Sequence, residues 1–405
     1  MRVLHINQSD INGGAALAAY RLHQGLISQG IDSSLLVAHA LTDDPKLAII
    51  PRRHRMEYLI NQLTFRLGLH TLHSVGSFDI PKETFFQAAD ILNFHNLHST
   101  NFSYLAIPKL TRQKPAVYTL HDMWSFTGHC TYSYDCTKWQ TGCGRCPYPD
   151  TYPAMKRDAS HLEWRLKSWV YSHSRLAIVA PSQWLVEQAQ HSMLNRFPIH
   201  HIPYGIDTEA YQPLDPDLCR RALGIPINKL TLLFGAGCFK DTRKGGGLLL
   251  QVLQGLPATL KAEVQLITLG QGSETIEAEL GIPTLRLGYV SSDRLKSMAY
   301  SAADLFLLPT QADNLPLVLQ ESMGCGTPMV SFNIGGVPDL VRPGETGYLA
   351  VPYDIEDFRN GIVQLLSDTT LREHMAQRCR QIALDEYSLA LQSQRYFEIY
   401  QQQLA

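Results

Sequence analysis

Residues 304–347 read DLFLLPTQADNLPLVLQESMGCGTPMVSFNIGGVPDLVRPGETG. The run Asp304–Pro309 has the length and apolar content of a buried strand, and it empties into a polar turn carrying Asp313. Helical spacing then covers Leu315–Met323, with Glu321 eight residues after Asp313. Gly326-Thr327-Pro328 breaks that helix before a second apolar run, Met329–Phe332, and two glycine-rich turns follow. Strand, acidic loop, helix and strand is how a parallel α/β sheet presents polar groups at the carboxyl ends of its strands, where ligands bind. Asp313 and Asn314 would meet a ligand end-on, while Glu321, about two helical turns along, would meet it from the side. The N–H groups of Asn314, Leu315 and Leu317 at the helix start suit an anion, and the carboxylates suit hydroxyls. A sugar joined to a phosphate offers both.

This segment resembles the C-terminal signature of retaining glycosyltransferases of family four. Their pattern is Glu, seven residues, Glu, then Gly-x-Pro and a Gly-Gly pair. The departure is Asp313 where the family usually carries its first Glu, a side chain that reaches one methylene less far. The resemblance covers nearly all 405 residues. It implies an α/β fold of the GT-B type: two Rossmann-like domains facing each other across a cleft, with a C-terminal helix crossing back to the first. On this basis residues 1–203 are expected to form the acceptor-side domain, with a Cys-rich insert at 124–150. Residues 204–386 are expected to bind the nucleotide sugar, and 387–405 to form the crossover helix.

A length of 405 residues with 45% apolar content permits two cores. No eighteen-residue apolar run occurs, and Met1-Arg-Val-Leu-His-Ile enters a strand pattern directly, so a cytoplasmic protein with no membrane span is expected. Residues 1–200 carry 19 Lys+Arg against 14 Asp+Glu, and the remainder 16 against 23. That mild basicity suits an anionic, membrane-bound acceptor and gives no sign of nucleic-acid binding. Strand-like runs at Val3–Ile6, Ser34–Ala38, Ile91–His95, Ala116–Leu120 and Ala177–Ala180 alternate with helical stretches in the first half. In the second half the runs are Leu230–Gly235, Val264–Leu269, Leu285–Leu287, Leu305–Pro309 and Met329–Phe332. His200–Asp207, with Pro213 beyond, reads as a hinge, and Ser388–Gln403 as an aromatic amphipathic helix with Tyr387, Tyr396, Phe397 and Tyr400.

Four stretches carry the expected donor site. Asn12-Gly13-Gly14-Ala15 opens a helix after the first strand, and its glycines let backbone N–H groups approach a phosphate. Phe239–Gly245 supplies Arg243, a planar fork, and Lys244, a point charge, for a diphosphate leaving group. The family usually has an Arg where this chain has Cys238, and Arg243, or else Lys240, is expected to replace it. Leu287–Ser291, with Tyr289, is the turn at which relatives hold the nucleobase through the backbone. By resemblance Glu321 takes ribose hydroxyls, while Asp313 with the Asn314–Leu317 amides holds the transferred sugar, UDP- or GDP-linked. On the first half, Thr119–Trp124 ends a strand, and the resemblance puts His121 against the donor sugar, with Asp122 orienting it or capping the next turn. Asn93, His95 and His98 are expected to line the acceptor pocket. No Asp-x-Asp motif is present to hold a divalent ion, and GT-B enzymes generally work without one, so no catalytic cofactor is expected.

Cys130, Cys136, Cys143 and Cys146 fall within seventeen residues. They read as a structural tetrathiolate zinc site, or else as disulfides or a reduced cluster. A similar insert recurs in relatives resembling the colanic-acid and exopolysaccharide glycosyltransferases, whose acceptors are glycans or polyprenyl-diphosphate-linked sugars. Residues 51–68 mix cations with apolar residues at helical spacing, either an ordinary surface helix or a peripheral contact with the inner face of the cell membrane. Other activities on the same fold are a sugar-nucleotide epimerase and a glycosidic phosphorylase, the latter needing pyridoxal phosphate and usually far longer. A non-catalytic nucleotide-sugar-binding scaffold is the reading from a different class.

Overall fold

In the computed structural model, which describes residues 1–98 and 101–405, the apolar runs of both halves become parallel strands. The first seven are β1 (Arg2–Ser9), β2 (Asp32–His39), β3 (Leu47–Ile49), β4 (Ile91–Phe94), β5 (Ala116–Thr119), β6 (Ala177–Ala180) and β7 (Ile199–His201). They hydrogen-bond in the order 3-2-1-4-5-6-7. The next six are β8 (Leu230–Cys238), β9 (Val264–Gln271), β10 (Thr284–Gly288), β11 (Leu305–Leu308), β12 (Met329–Phe332) and β13 (Gly347–Ala350), in the order 10-9-8-11-12-13. Each sheet reverses its winding once, between β1 and β4 and between β8 and β11. In doubly wound sheets such a reversal opens a crevice at the carboxyl ends of the two strands. Strands β3 and β13 escaped the sequence reading. They are sheet-edge strands of three and four residues, too short to establish a period.

The chain forms two compact units, residues 1–205 with 390–405, and residues 206–389. Central strands such as Leu305–Leu308 and Ala177–Ala180 are buried along their whole length, as parallel strands covered on both faces must be. In the first unit Leu4, Ile6, Leu92, Phe94 and Tyr118 enter one core. Val3, Ile91, Val117 and Val179 enter a second core, on the opposite face.

That second core is closed by Leu22 and Leu26 of the helix Gly14–Ser28 and by Tyr396, Ile399 and Tyr400 of the helix Leu389–Leu404. The last helix buries residues 392, 393, 396, 399 and 400, one stripe at i, i+1, i+4, i+7 and i+8. Its return to the first sheet is fixed by two polar contacts: Asn93 Nδ2 donates to the Tyr400 hydroxyl at 2.7 Å, and the Thr119 and Tyr396 hydroxyls lie 2.9 Å apart. Tyr387, grouped with this helix in the sequence reading, instead ends the preceding helix, Thr369–Tyr387, and donates to the Asp339 carbonyl. The second unit keeps its own core around Leu232, Phe234, Leu249, Leu305 and Phe358.

Truncating Tyr400 removes a fully buried ring together with the partner of Asn93. Tyr400→Ala is expected to destabilise the first unit by about 3–5 kcal/mol. All five tryptophans (124, 139, 164, 169 and 184) lie in that unit, so urea melts followed by tryptophan fluorescence read it selectively. An unchanged midpoint would show that the helix contributes nothing there.

Candidate active site

In the second unit, the turns after β8 and after β11 lock together. Gln311 N donates to the Arg243 carbonyl at 2.7 Å, the Thr310 hydroxyl donates to the same oxygen at 3.0 Å, and Gln311 Nε2 donates to the Thr242 carbonyl. The approach needs glycine at two places. Gly245 has φ +78°, and a Cβ there would lie 1.8 Å from the Pro309 carbonyl. Gly335 has φ +55°, and its Cβ would lie 2.0 Å from the Asp313 carbonyl, which accepts the N–H of Gly336. The Lys-Gly and Gly-Gly pairs of the sequence are therefore contact points for the Asp313 loop.

This packing sets Asp313 among cations. Its Oδ2 accepts from Lys244 Nζ at 2.5 Å and lies 3.6 Å from Arg243 Nη1, while Oδ1 accepts the N–H of Asn314. Arg243 Nη1 also donates to the Ala312 carbonyl. Burial pushes the Asp313 carboxyl up, but Lys244 and Arg243 outweigh it and hold the group below its ordinary value. Burial lowers the Lys244 ammonium, and Asp313 offsets part of that. Cys238 ends β8 exposed, and the arginine that lies beside Asp313 is Arg243.

Asn314 and Leu315 are buried ahead of the helix Leu317–Gly324, which has no side-chain cap on its first N–H groups. One turn farther in, Glu321 is 3% exposed; Oε2 accepts from the Tyr300 hydroxyl at 3.3 Å and Oε1 lies 3.9 Å from Lys296 Nζ. Lys296 also reaches Asp293 and the Tyr211 hydroxyl. The sequence reading missed Lys296 and Tyr300, although Asp293, Lys296 and Tyr300 form an i, i+3, i+7 polar stripe on the helix Asp293–Ala302. Tyr289 stands 69% exposed beyond Gly288, at the end of β10.

In the first unit, Gly13 takes φ +89° and caps the helix Gly14–Ser28, both glycines being exposed. Asp10, also missed, ties this turn to the chain after β2: its carboxylate accepts N–H groups of Ile11, Leu41 and Thr42 and the Thr42 hydroxyl. The histidines form a row. His5 Nδ1 lies 2.9 Å from His95 Nε2, His95 Nδ1 lies 3.0 Å from His121 Nε2, and His121 Nδ1 lies 2.7 Å from the Tyr204 hydroxyl. Both ring nitrogens of His121 are therefore engaged inside the unit. Asp122 does not orient His121: it accepts from His98 Nε2 at 2.9 Å and caps the N–H of Trp124. Asn93 and His95 are 0% and 1% exposed, so neither lines an open acceptor pocket; their polar atoms go to Tyr400, Thr119 and the flanking histidines.

The Cys-rich insert is rooted by Lys167. Its ammonium donates to the carbonyls of Trp124 and Thr127 at 2.6 and 3.0 Å and lies 3.6 Å from the Trp124 ring centroid. Burial lowers it to about 8, against the opposing pull of Glu163. Cys130, Cys136, Cys143 and Cys146 line one small cavity with His129 and Trp139. The described residues do not support the zinc expectation. Among the described residues no three His, Cys, Asp or Glu side chains are grouped as a metal would need, and the eight cysteines are unpaired. Two of the sulfurs have protein partners: Cys143 Sγ accepts the N–H of Gly128, and Cys146 Sγ lies 3.2 Å from His129 Nε2. Burial pushes Cys130 up to about 12 and Cys143 to about 11.

Buried imidazoles carry a pH signature. Burial lowers His121 from 6.5 to about 4, acting against Asp122, and holds His5 and His95 well below the usual range. The unfolded chain takes up these protons near pH 6.5 and the folded unit resists them, so stability is complete above that value and is lost as pH falls towards 4. For His121 the shift corresponds to on the order of 3 kcal/mol. The tryptophan-detected urea midpoint is expected to drop clearly between pH 7 and pH 5, before most carboxylates titrate. A flat midpoint across that window would show that the row takes up protons in the fold as readily as in the unfolded chain.

Comparison with known proteins agrees with this architecture. The family description Glycosyltransferase Family 4 matches residues 12–210, and Glycosyl transferases group 1 matches residues 220–382. An Escherichia coli chain named as a colanic acid biosynthesis glycosyl transferase, WcaC, is 27% identical over 418 residues, covering 96% of this chain and 98% of that one. Among solved structures, a sucrose-phosphate synthase from Thermosynechococcus elongatus superposes with a TM-score of 0.72 at 17% identity, covering 99% of both chains. HepE of Anabaena, in complex with UDP-glucose, gives 0.70 at 18% identity over 99% of this chain and 100% of that one.

Proposed function

Because this chain belongs to the family-four glycosyltransferases of the GT-B fold, we propose that it moves a glycosyl unit from a nucleotide-diphosphate sugar to an acceptor hydroxyl with retention at the anomeric carbon. The process is surface polysaccharide assembly, a reading supported by the name of the E. coli relative. The observation that carries the donor assignment is Asp313, a carboxylate at the end of β11 held between Lys244 and Arg243 and followed by an uncapped helix start. A sugar diphosphate is the ligand whose hydroxyls and anionic oxygens divide between those groups. The UDP-glucose on HepE supports the same donor class.

In the reaction the bond from the anomeric carbon to the diphosphate oxygen breaks, and the acceptor oxygen bonds on the same face. The acceptor proton passes to the departing phosphate oxygen, so no protein base is required. Lys244, Arg243 and the N–H groups of Asn314, Leu315 and Leu317 stabilise charge growing on the leaving group. Glu321, braced by Tyr300 and Lys296, takes the ribose hydroxyls. Turnover with UDP-, GDP- and ADP-sugars, followed by anomeric analysis of product, tests the reading. An inverted product, or donor turnover without any glycosylated acceptor, would replace it with a different chemistry. Lys244→Ala is expected to lower turnover by about two to three orders of magnitude, and Glu321→Ala to weaken donor binding as well. Near-normal rates in the Lys244 variant, with its far-ultraviolet circular dichroism intact, would remove that residue from the mechanism.

The acceptor is read as a glycan on an anionic lipid. The helix His54–Arg66 buries only Glu57 and Thr64, leaving Met56, Tyr58, Leu59, Leu63 and Phe65 exposed. At its first turn a depression is lined by Arg52, His54, Arg55 and His73, with Glu57 already paired to Arg52 at 3.1 Å. Lys156 stands over the Phe65 ring. Cations beside an uncovered apolar stripe match the phosphate and acyl regions of a bilayer surface. The protein is expected to float with phosphatidylglycerol vesicles and not with phosphatidylcholine alone. Leu59→Ser combined with Leu63→Ser should abolish flotation; retention by that variant would count against membrane docking.

A further inference from the structure

The carboxylate of Glu321 has a cation beside it that stops short of it. Lys296 lies on the helix Asp293–Ala302, sharing one face with Asp293 and Tyr300. Its ammonium is 3.2 Å from Asp293 Oδ1 and 3.3 Å from the Tyr211 hydroxyl, within hydrogen-bonding reach of both. Glu321 Oε1 is 3.9 Å away, too far for a hydrogen bond but close enough for charge–charge attraction. The two side chains are 16% and 4% exposed, so solvent screens that attraction only in part. All of these groups belong to the second unit.

The anchor that holds the ammonium back is itself fixed. The Tyr211 hydroxyl donates to Asp293 Oδ1 at 2.6 Å, which leaves its oxygen to accept from Lys296. Tyr211 is fully buried, and its carbonyl and that of Gly324 both accept from Arg380 Nη1, at 2.8 and 3.0 Å. A Cβ at Gly324 would lie 3.2 Å from the Tyr211 Cβ, so the two segments are in close contact. Gly324 ends the helix that carries Glu321. Anchor and carboxylate are thus mounted on the same packed contact. An ammonium closing onto Oε1 would leave Asp293 and take a lone pair from the carboxylate. Held where it is, it brings positive charge to Oε1 and takes none. A ribose presents two neighbouring hydroxyls, and a carboxylate has acceptor sites for both.

We propose that Lys296 is a positioning residue for donor recognition: Asp293 and Tyr211 hold its ammonium short of Glu321, so that it steadies the carboxylate for the vicinal hydroxyls of a ribonucleoside without competing for them. The inference rests on the donor reading above, in which Glu321 takes the ribose. It adds that the chain prefers ribonucleotides to 2′-deoxyribonucleotides through a lysine that acts by way of Glu321. A lysine serving the diphosphate directly would respond in the opposite sense to loss of Asp293, because removing a carboxylate near an anion favours the anion.

The test is calorimetric titration of the full chain with UDP, GDP and ADP, and with the 2′-deoxy form of whichever binds most tightly. The wild type is expected to prefer the ribonucleotide by about tenfold, as one hydrogen bond to a charged group predicts. Lys296→Met should weaken the ribonucleotide by about tenfold and its 2′-deoxy form by less than about threefold. Asp293→Ala, at a side chain 43% exposed, should weaken the ribonucleotide by about fivefold, because the released ammonium closes onto Oε1. Lys296→Met combined with Glu321→Ala should bind no more weakly than Glu321→Ala alone. Equal losses for the two nucleotides in Lys296→Met, tighter binding by Asp293→Ala, or a further loss in the double variant overturns the proposal. Should Lys296→Met lose its fold by far-ultraviolet circular dichroism, Asp293→Ala decides. Wild-type binding indifferent to the 2′-hydroxyl also overturns it and leaves the donor reading standing, whereas a wild type that binds none of the three nucleotides strikes the donor reading itself.

Discussion

Polar groups at the carboxyl edge of a buried parallel sheet cannot rely on water, and this constraint organises both units. A buried donor or acceptor without a partner costs about 1–3 kcal/mol, and more when charged. Neighbouring strands end at the same level, so the groups they leave there must satisfy one another. In the first unit they do so with neutral rings, hydroxyls and an amide, from Asn93 and Thr119 through His95 and His121 to Tyr204. In the second they do so with full charges, Lys244 and Arg243 against Asp313.

The two solutions respond differently to a ligand. A neutral hydrogen-bonded row keeps its geometry because any one ring can turn only at the expense of its neighbours' bonds. A buried ion pair is held chiefly by the cost of separating it. On the donor reading proposed above, a diphosphate beside Lys244 would supply replacement negative charge, so the ammonium could change partners without standing alone. Asp313 would then have an oxygen to offer to hydroxyls.

Much of this was legible in the sequence because it depends on short-range pattern. Residues 304–347 announce strand, acidic turn and helix, and the winding follows from alternating strands and helices. The Gly335-Gly336 and Lys244-Gly245 pairs were visible as motifs, but that each glycine backs onto the Asp313 loop or the end of β11 needed coordinates. Edge strands β3 and β13 were too short to read. Asn93 looked like an acceptor-side residue because nothing in the chain shows that Tyr400, 307 positions away, occupies it. The four clustered cysteines had a suggestive spacing, yet spacing does not specify where sulfurs point. His5 drew no notice, since one histidine in an apolar strand is usually a satisfied core residue. Its meaning appears only when β4 and β5 bring His95 and His121 alongside.

The two departures from the family pattern are coupled in the same way. Cys238 removes a cation at the end of β8, and Asp313 shortens a carboxylate at the end of β11. The turn between residues 239 and 245 answers both. Two hydrogen bonds from Thr310 and Gln311 to the Arg243 carbonyl draw it against the Asp313 loop, and Gly245 allows the contact. Arg243 then stands where it can reach Ala312 and Asp313 together, and Lys244 meets the shorter carboxylate directly at 2.5 Å. The carboxylate meets two cations from one turn, so the charge at this edge of the sheet is balanced by Lys244 and Arg243 without a contribution from position 238.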